Sequence, residues 1–150
     1  MTTETLLRDY ADLQARLCAA LFARHPVEDV TKLSDLPRHG ALVFDDDDWE
    51  FSQLGIGVCF TSVSTGAVVH ARAWVFAYPA GFDAWRLAQY FESRGIAQIS
   101  HGGRKFCATR KGWLGRLLDR LCREGLLMLV DPKCRIYMLK DDTAPDAAAR

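Results

Sequence analysis

From Gly55 to Gly95 the chain reads GIGVCFTSVSTGAVVHARAWVFAYPAGFDAWRLAQYFESRG. The first half alternates and reverses at Thr65-Gly66, the pattern of two strands joined by a tight turn, and the second half changes to helical spacing after Pro79 and Gly81. In the second strand Val69, Ala71, Ala73, Val75 and Ala77 fall on one side, and Val68, His70, Arg72, Trp74 and Phe76 on the other. The first set, small and apolar, predicts a face covered by a helix. The second mixes His70 and Arg72 with Trp74 and suits either a binding surface or the wet side of an antiparallel sheet, the commoner arrangement. Asp83 stands where a helix N-cap is needed, with Phe82 before it as a hydrophobic staple. Leu87, Ala88 and Phe91 continue an apolar stripe, and Gly95 supplies the stop.

Working outward, Leu6, Tyr10, Leu13, Leu17 and Leu21 recur every three or four residues from Thr3 to about His25, which predicts an amphipathic helix ended by Pro26. Val27 to His39 connects, with Leu33 and Leu36 pinning a short turn to the core. Gly40 to Phe44 and Trp49 to Gln53 flank Asp45-Asp46-Asp47-Asp48, predicting a hairpin tipped by four consecutive carboxylates. Downstream, Ser100-His101-Gly102-Gly103-Arg104-Lys105 reads as a flexible polar loop. A helix from about Thr109 to Glu124 follows, with Leu114, Leu117, Leu118 and Leu121 inward and Arg116, Arg120 and Arg123 along one outer stripe. Leu126 to Val130 and Cys134 to Leu139 predict a last hairpin turned at Asp131-Pro132-Lys133. This order belongs to the α+β class, a mainly antiparallel sheet built from hairpins and packed against an N-terminal helix and two further helices. One globular domain is expected over residues 1–140, with a disordered Asp- and Ala-rich tail over 141–150.

The net charge of zero hides a division. Residues 1–50 carry five Lys/Arg against eleven Asp/Glu, residues 51–100 three against two, and residues 101–150 eleven against six, giving −6, +1 and +5. No apolar run approaches the roughly 18 residues of a membrane span, and the first residues lack the basic start and apolar block of a secretory signal, so a cytoplasmic protein is expected. Five cysteines at irregular spacing, none in C-x-x-C, argue for buried free thiols rather than disulfides or a zinc site. His25, His39 and His70 lack partners at ligand spacing, and nothing implies a metal or a cofactor.

Two charged stretches remain as candidate surfaces. Asp45, Asp46, Asp47, Asp48 and Glu50, with the apolar Trp49 between them, suit either a solvated turn, the commoner case for an acidic loop tip, or a partner-binding patch; a metal site is the weakest reading, since the acidic run lacks the glycine and terminal glutamate of an EF-hand loop. Between His101 and Arg123 seven cations face one anion, Asp119, and Arg104, Lys105, Arg116, Arg120 and Arg123 form the alternative, a winged-helix-like nucleic-acid surface. Against that alternative stand the acidic first third and the sheet that interrupts a three-helix reader. Gly102-Gly103-Arg104-Lys105 lacks the spaced glycines and Lys-Ser/Thr ending of a P-loop. Cys107 with His101 is the one cysteine and histidine pair close in sequence, and a structural thiol is the stronger reading of it. No catalytic residue is assigned.

At Leu54-Gly55-Ile56-Gly57-Val58, at Gly81-Phe82-Asp83-Ala84-Trp85-Arg86-Leu87, and in the hairpin from Gly125-Leu126-Leu127 to Tyr137-Met138-Leu139, the chain resembles a bacterial family of small uncharacterised domains, some members of which lie beside polymorphic-toxin genes. The resemblance spans about Gly40 to Leu139. It departs at Leu54, where the family pattern carries a histidine. It implies a protein that protects the cell by binding a cognate toxin, and no catalytic residue carries over with it.

Overall fold

A computed structural model of the chain describes residues 2–27 and 30–143. Helix α1, Thr3–Arg24, opens on Thr2, whose Oγ1 accepts from the amide of Thr5 at 3.1 Å. Of the predicted stripe, Tyr10, Leu17 and Leu21 are wholly buried and Leu6 and Leu13 partly so, while Leu7, outside that stripe, is wholly buried and shifts the covered face toward it. Polar Gln14 lies in the same face, also wholly buried. Its Nε2 donates to the carbonyls of Pro79 at 3.0 Å and Gly81 at 2.6 Å, which fastens the turn before the second helix to the first.

Four strands follow, β1 (His39–Phe44), β2 (Asp47–Leu54), β3 (Gly57–Ser62) and β4 (Val68–Arg72), paired antiparallel in that order. The register sets Leu42 against Trp49, and Phe51 against Phe60 against Val69. These five side chains are all buried, and α1 crosses this face with contacts to both β1 and β4. By the period of two, Ala41, Val43, Asp48, Glu50, Ser52, Cys59 and Thr61 point the other way. The glycines of the Gly55-Ile56-Gly57 motif serve different ends. Gly55 turns the chain at a φ of +58°, whereas a Cβ on Gly57 would stand 2.6 Å from the carbonyl oxygen of Ala71 on β4.

β4 is shorter than its alternation predicts. The chain leaves the sheet after Arg72 and winds into a 3-10 turn, Ala73–Phe76. The amides of Ala77 and Tyr78 bond the Trp74 carbonyl, and Trp74 Nε1 donates to Gly81 at 3.2 Å. Val75 is buried, and Phe76 stacks on Phe22 of α1 with centroids 5.3 Å apart. Val75 is thus buried, and Trp74 and Phe76 partly buried, without the ladder. Helix α2, Ala84–Ser93, is capped as expected, the Arg86 amide donating to Asp83 Oδ1 at 2.8 Å.

The stretch read as a polar loop is instead a hairpin, β5 (Gln98–His101) with β6 (Arg104–Cys107). Gly102 and Gly103 form its two-residue turn, and buried Ile99 and Phe106 face each other across it. Helix α3, Lys111–Arg123, buries Leu114, Leu117, Leu118 and Leu121 completely. β7 (Leu127–Asp131) and β8 (Ile136–Leu139) close the fold with a register shift between Leu129 and Asp131, and Phe82 and Tyr137 exchange backbone hydrogen bonds between the start of α2 and β8. The fold is α+β, with antiparallel sheets from hairpins. A 3-10 turn, Lys140–Thr143, occupies the first part of the expected tail, and Asp141 pairs with Arg8 at 2.9 Å. The rest of that tail lies outside the described residues.

Candidate functional site

On the sheet face turned away from α1, Asp48 lies between two valines. Val43 is its register partner on β1, and the Val63 amide donates to the Asp48 carbonyl at 2.9 Å from the other side. Val43 is 63% exposed and Val63 59%. The next row across the sheet is Ala41, Glu50 and Thr61, and the turn beyond it carries exposed Leu54 and Ile56. Six large hydrophobic side chains are exposed among the described residues, and these four belong to the one sheet and its turns. A pair of carboxylates set among exposed aliphatic groups has the composition of a protein contact.

The acidic run itself is divided. Asp45 and Asp46 alone form the tip, with φ of 51° and 60°, both in the left-handed region, as a two-residue type I′ turn requires. Asp45 folds back onto this chain's own Arg16, whose Nη2 lies 2.8 Å from its carboxylate and whose guanidinium rests 4.9 Å over Phe44. Asp47 begins β2 and accepts from Ser64 at 2.8 Å and Ser62 at 3.1 Å. These hydroxyls hold its carboxyl below the usual range. Trp49 departs from the expected patch altogether. It is 5% exposed and faces the core beside Leu42, because its parity on β2 is that of Phe51. Asp46, Asp48 and Glu50 remain exposed. The valines went unnoticed in the sequence. Their signal is parity, since residues flanking a buried Leu42 or Ser62 must point outward.

Residues 3–139 match the family model of a domain of unknown function, DUF6896. The chain belongs to this family. The match takes in α1, well beyond the stretch from Gly40 that the motifs suggested. The chain matches no curated protein and no solved structure.

Elsewhere in this DUF6896 domain, the basic residues are only partly brought together. Arg116 and Arg123 are exposed on α3, Arg116 with its guanidinium 5.2 Å over Trp113, while Arg104 and Lys105 lie exposed on β6. Arg120 is withdrawn from the stripe. Its Nε donates to Glu124 at 3.0 Å, and Glu124 also meets His101 Nε2 at 2.7 Å, so the bonds from His101 and Arg120 hold that carboxyl below its ordinary range. His101 and Cys107 sit at opposite ends of the β5–β6 hairpin, opposite Arg104 and Gln98 respectively, which separates a nucleophile from its base. Cys107 bonds Thr109 at 3.5 Å, and that bond pulls its thiol below the usual value. Among the described residues no group of three or more His, Cys, Asp or Glu is placed to hold a metal, and no helix is long and apolar enough to cross a membrane.

Proposed function

We propose that this DUF6896 domain is a non-catalytic binding protein of the immunity type, which neutralises a cognate bacterial toxin in the cytoplasm by covering a basic surface of it. The observation that carries this reading is the outer face of the four-stranded sheet, where exposed Asp48 and Glu50 stand beside Val43 and Val63, with exposed Leu54 and Ile56 at the opposite end of β2. Aliphatic groups at the centre of a contact provide apolar burial. Exposed carboxylates that need no internal partner provide complementarity to the cations a nuclease uses to attract phosphate, and such complementarity acts mainly on the rate of encounter. Asp46 at the tip extends the acidic surface, whereas Asp45, paired with Arg16, contributes less.

The test is neutralisation and binding of the toxin encoded beside this protein's gene. Asp48→Asn with Glu50→Gln is expected to slow association about tenfold at low salt and to flatten its salt dependence, and Val43→Ser with Val63→Ser to speed dissociation. Association and dissociation both unchanged in the four-site variant, with neutralisation intact, would remove this face from the contact.

A second reading rests on the exposed cations Arg104, Lys105, Arg116 and Arg123, a surface for a nucleic-acid backbone. Changing Arg116, Arg120 and Arg123 to Gln should then abolish duplex binding and leave toxin neutralisation untouched. Absence of DNA binding by the wild type at low salt disposes of this alternative.

A further inference from the structure

Between the first turns of α2 and α3 and strand β8 lies a cavity of about 480 Å³, walled by Trp85, Arg86, Lys111, Gly112, Gly115 and Arg135 among others. That volume is within the range of small-molecule sites. α3 begins there in a way that an unliganded helix disfavours. Its N-cap residue, Arg110, makes no side-chain cap bond, its first turn holds no acidic residue, and Lys111 places a cation at the positive end of the helix dipole. Gly112 and Gly115 follow on the cavity side, although glycine is the poorest helix former after proline. Packing does not demand them, since a Cβ at either position meets nothing within 4 Å. What their missing side chains leave is the cavity itself.

An independent observation comes from α2. Arg86 lies in the facing wall, 7% exposed; its Nη1 donates to Asp83 at 2.7 Å, while its Nε has no hydrogen-bond partner in the protein. The guanidinium lies 4.3 Å from the centroid of Trp85, and Lys111 Nζ lies 5.2 Å from the same ring, so one half-exposed indole gathers two cations from two helices. Arg135 adds a third, already bonded to Asp119 at 2.6 Å and to the Tyr137 hydroxyl at 2.7 Å. The one carboxylate in the wall, Asp83, is occupied by the Arg86 amide and guanidinium.

We propose that this cavity binds a small phosphate ester, with its phosphate at the uncapped amides of α3 beside Lys111 and Arg86, and its carbon skeleton along Trp85 and the glycine floor. A dianion with three acceptor oxygens answers free amides and two cations together, which a lone carboxylate does less well. The test is amide NMR of the full chain titrated with inorganic phosphate, phenyl phosphate and benzoate. Saturable shifts of the Gly112 and Trp113 amides are expected with both phosphates. Phenyl phosphate should bind about tenfold more tightly than phosphate, a difference of about 1.4 kcal/mol. Lys111→Gln should weaken binding about tenfold. Gly115→Ala should raise Tm by about 2–4 °C, and Gly115→Leu, which fills the space, should abolish binding in a folded chain. No saturable shift with either phosphate, benzoate binding as tightly as phenyl phosphate, shifts confined to Arg104, Lys105 and Arg116, a lowered Tm in Gly115→Ala, or Gly115→Leu binding as the wild type would each overturn the proposal.

Discussion

His70 stands on β4 with its Nε2 buried and without a hydrogen-bond partner. Burial first, and then the nearby charge of Arg86, pushes its pKa below the ordinary 6.5, against the opposing pull of a bond with Gln89. The sign of the consequence follows from proton counting. With the folded pKa depressed, the unfolded chain binds more protons as pH drops through about 6.5, so stability is lost on acidification and the loss levels off once pH is below the folded value. His70→Gln should therefore show a shallower fall in urea midpoint between about pH 7 and pH 5 than the wild type. Equal slopes would mean that His70 is solvated. The residue before it on β4, Val69, pairs with Phe60 of β3, which is wholly buried, and Phe60→Ala should cost about 3–5 kcal/mol by chemical denaturation. At this scale the sequence spoke clearly for Phe91, Leu117 and Leu121, whose periodic neighbours agree with them. It misled at Trp49, because a tryptophan beside four aspartates looks exposed until its strand parity is known.

The hairpin of β1 and β2 shows what limits legibility for an element. Both strands were readable from their apolar residues, but where the turn ends depends on which residues accept a left-handed backbone. Aspartate does so well enough that two of the four, Asp45 and Asp46, make the whole turn and the other two join the ladder. The same turn without that strain should be firmer. Asp45→Asn with Asp46→Gly supplies the residues that a type I′ turn favours, and is expected to raise stability by about 0.5–1 kcal/mol, less whatever the lost Arg16 pair contributed, which for so exposed a pair is small. A loss of stability would show that the Arg16 and Asp45 bond outweighs the backbone term. The β5–β6 hairpin escaped notice for a related reason. Each strand has four residues, too few for alternation to stand out from a polar loop, and its two-glycine turn reads as flexibility until Ile99 and Phe106 are seen facing each other. At β4 the alternation ran past the true strand end, because 3-10 turns and short strands both bury every second or third residue, and only the 3-10 bonds at Trp74 distinguish them.

For the molecule as a whole, α1 joins what the rest of the chain keeps apart. Its first two turns reach the C-terminal half, with Thr3 against His101 and Arg8 against Asp141. Its second half reaches the turns at the two ends of the four-stranded sheet, with Arg16 on Asp45 between β1 and β2 and Phe22 on Phe76 in the 3-10 turn after β4. No pattern in one stretch of sequence announces such a role, because an amphipathic stripe says that a helix is covered but not by how many partners. If α1 makes the two halves one cooperative unit, then damage at its sheet end must be felt at α3. Leu17 is wholly buried in the second half of the helix, and Leu17→Ala should cost about 2–5 kcal/mol of a stability that for a domain of this kind is about 5–15 kcal/mol. Native-state hydrogen exchange locates the loss. Under global opening the amides of Phe60 on β3 and Leu118 on α3 should lose protection by the same free energy, although only the first lies in the sheet that α1 crosses. If Phe60 were deprotected while Leu118 kept its wild-type rate, the sheet and the α3 half would be separate folding units, and α1 a strut that the C-terminal half does not need.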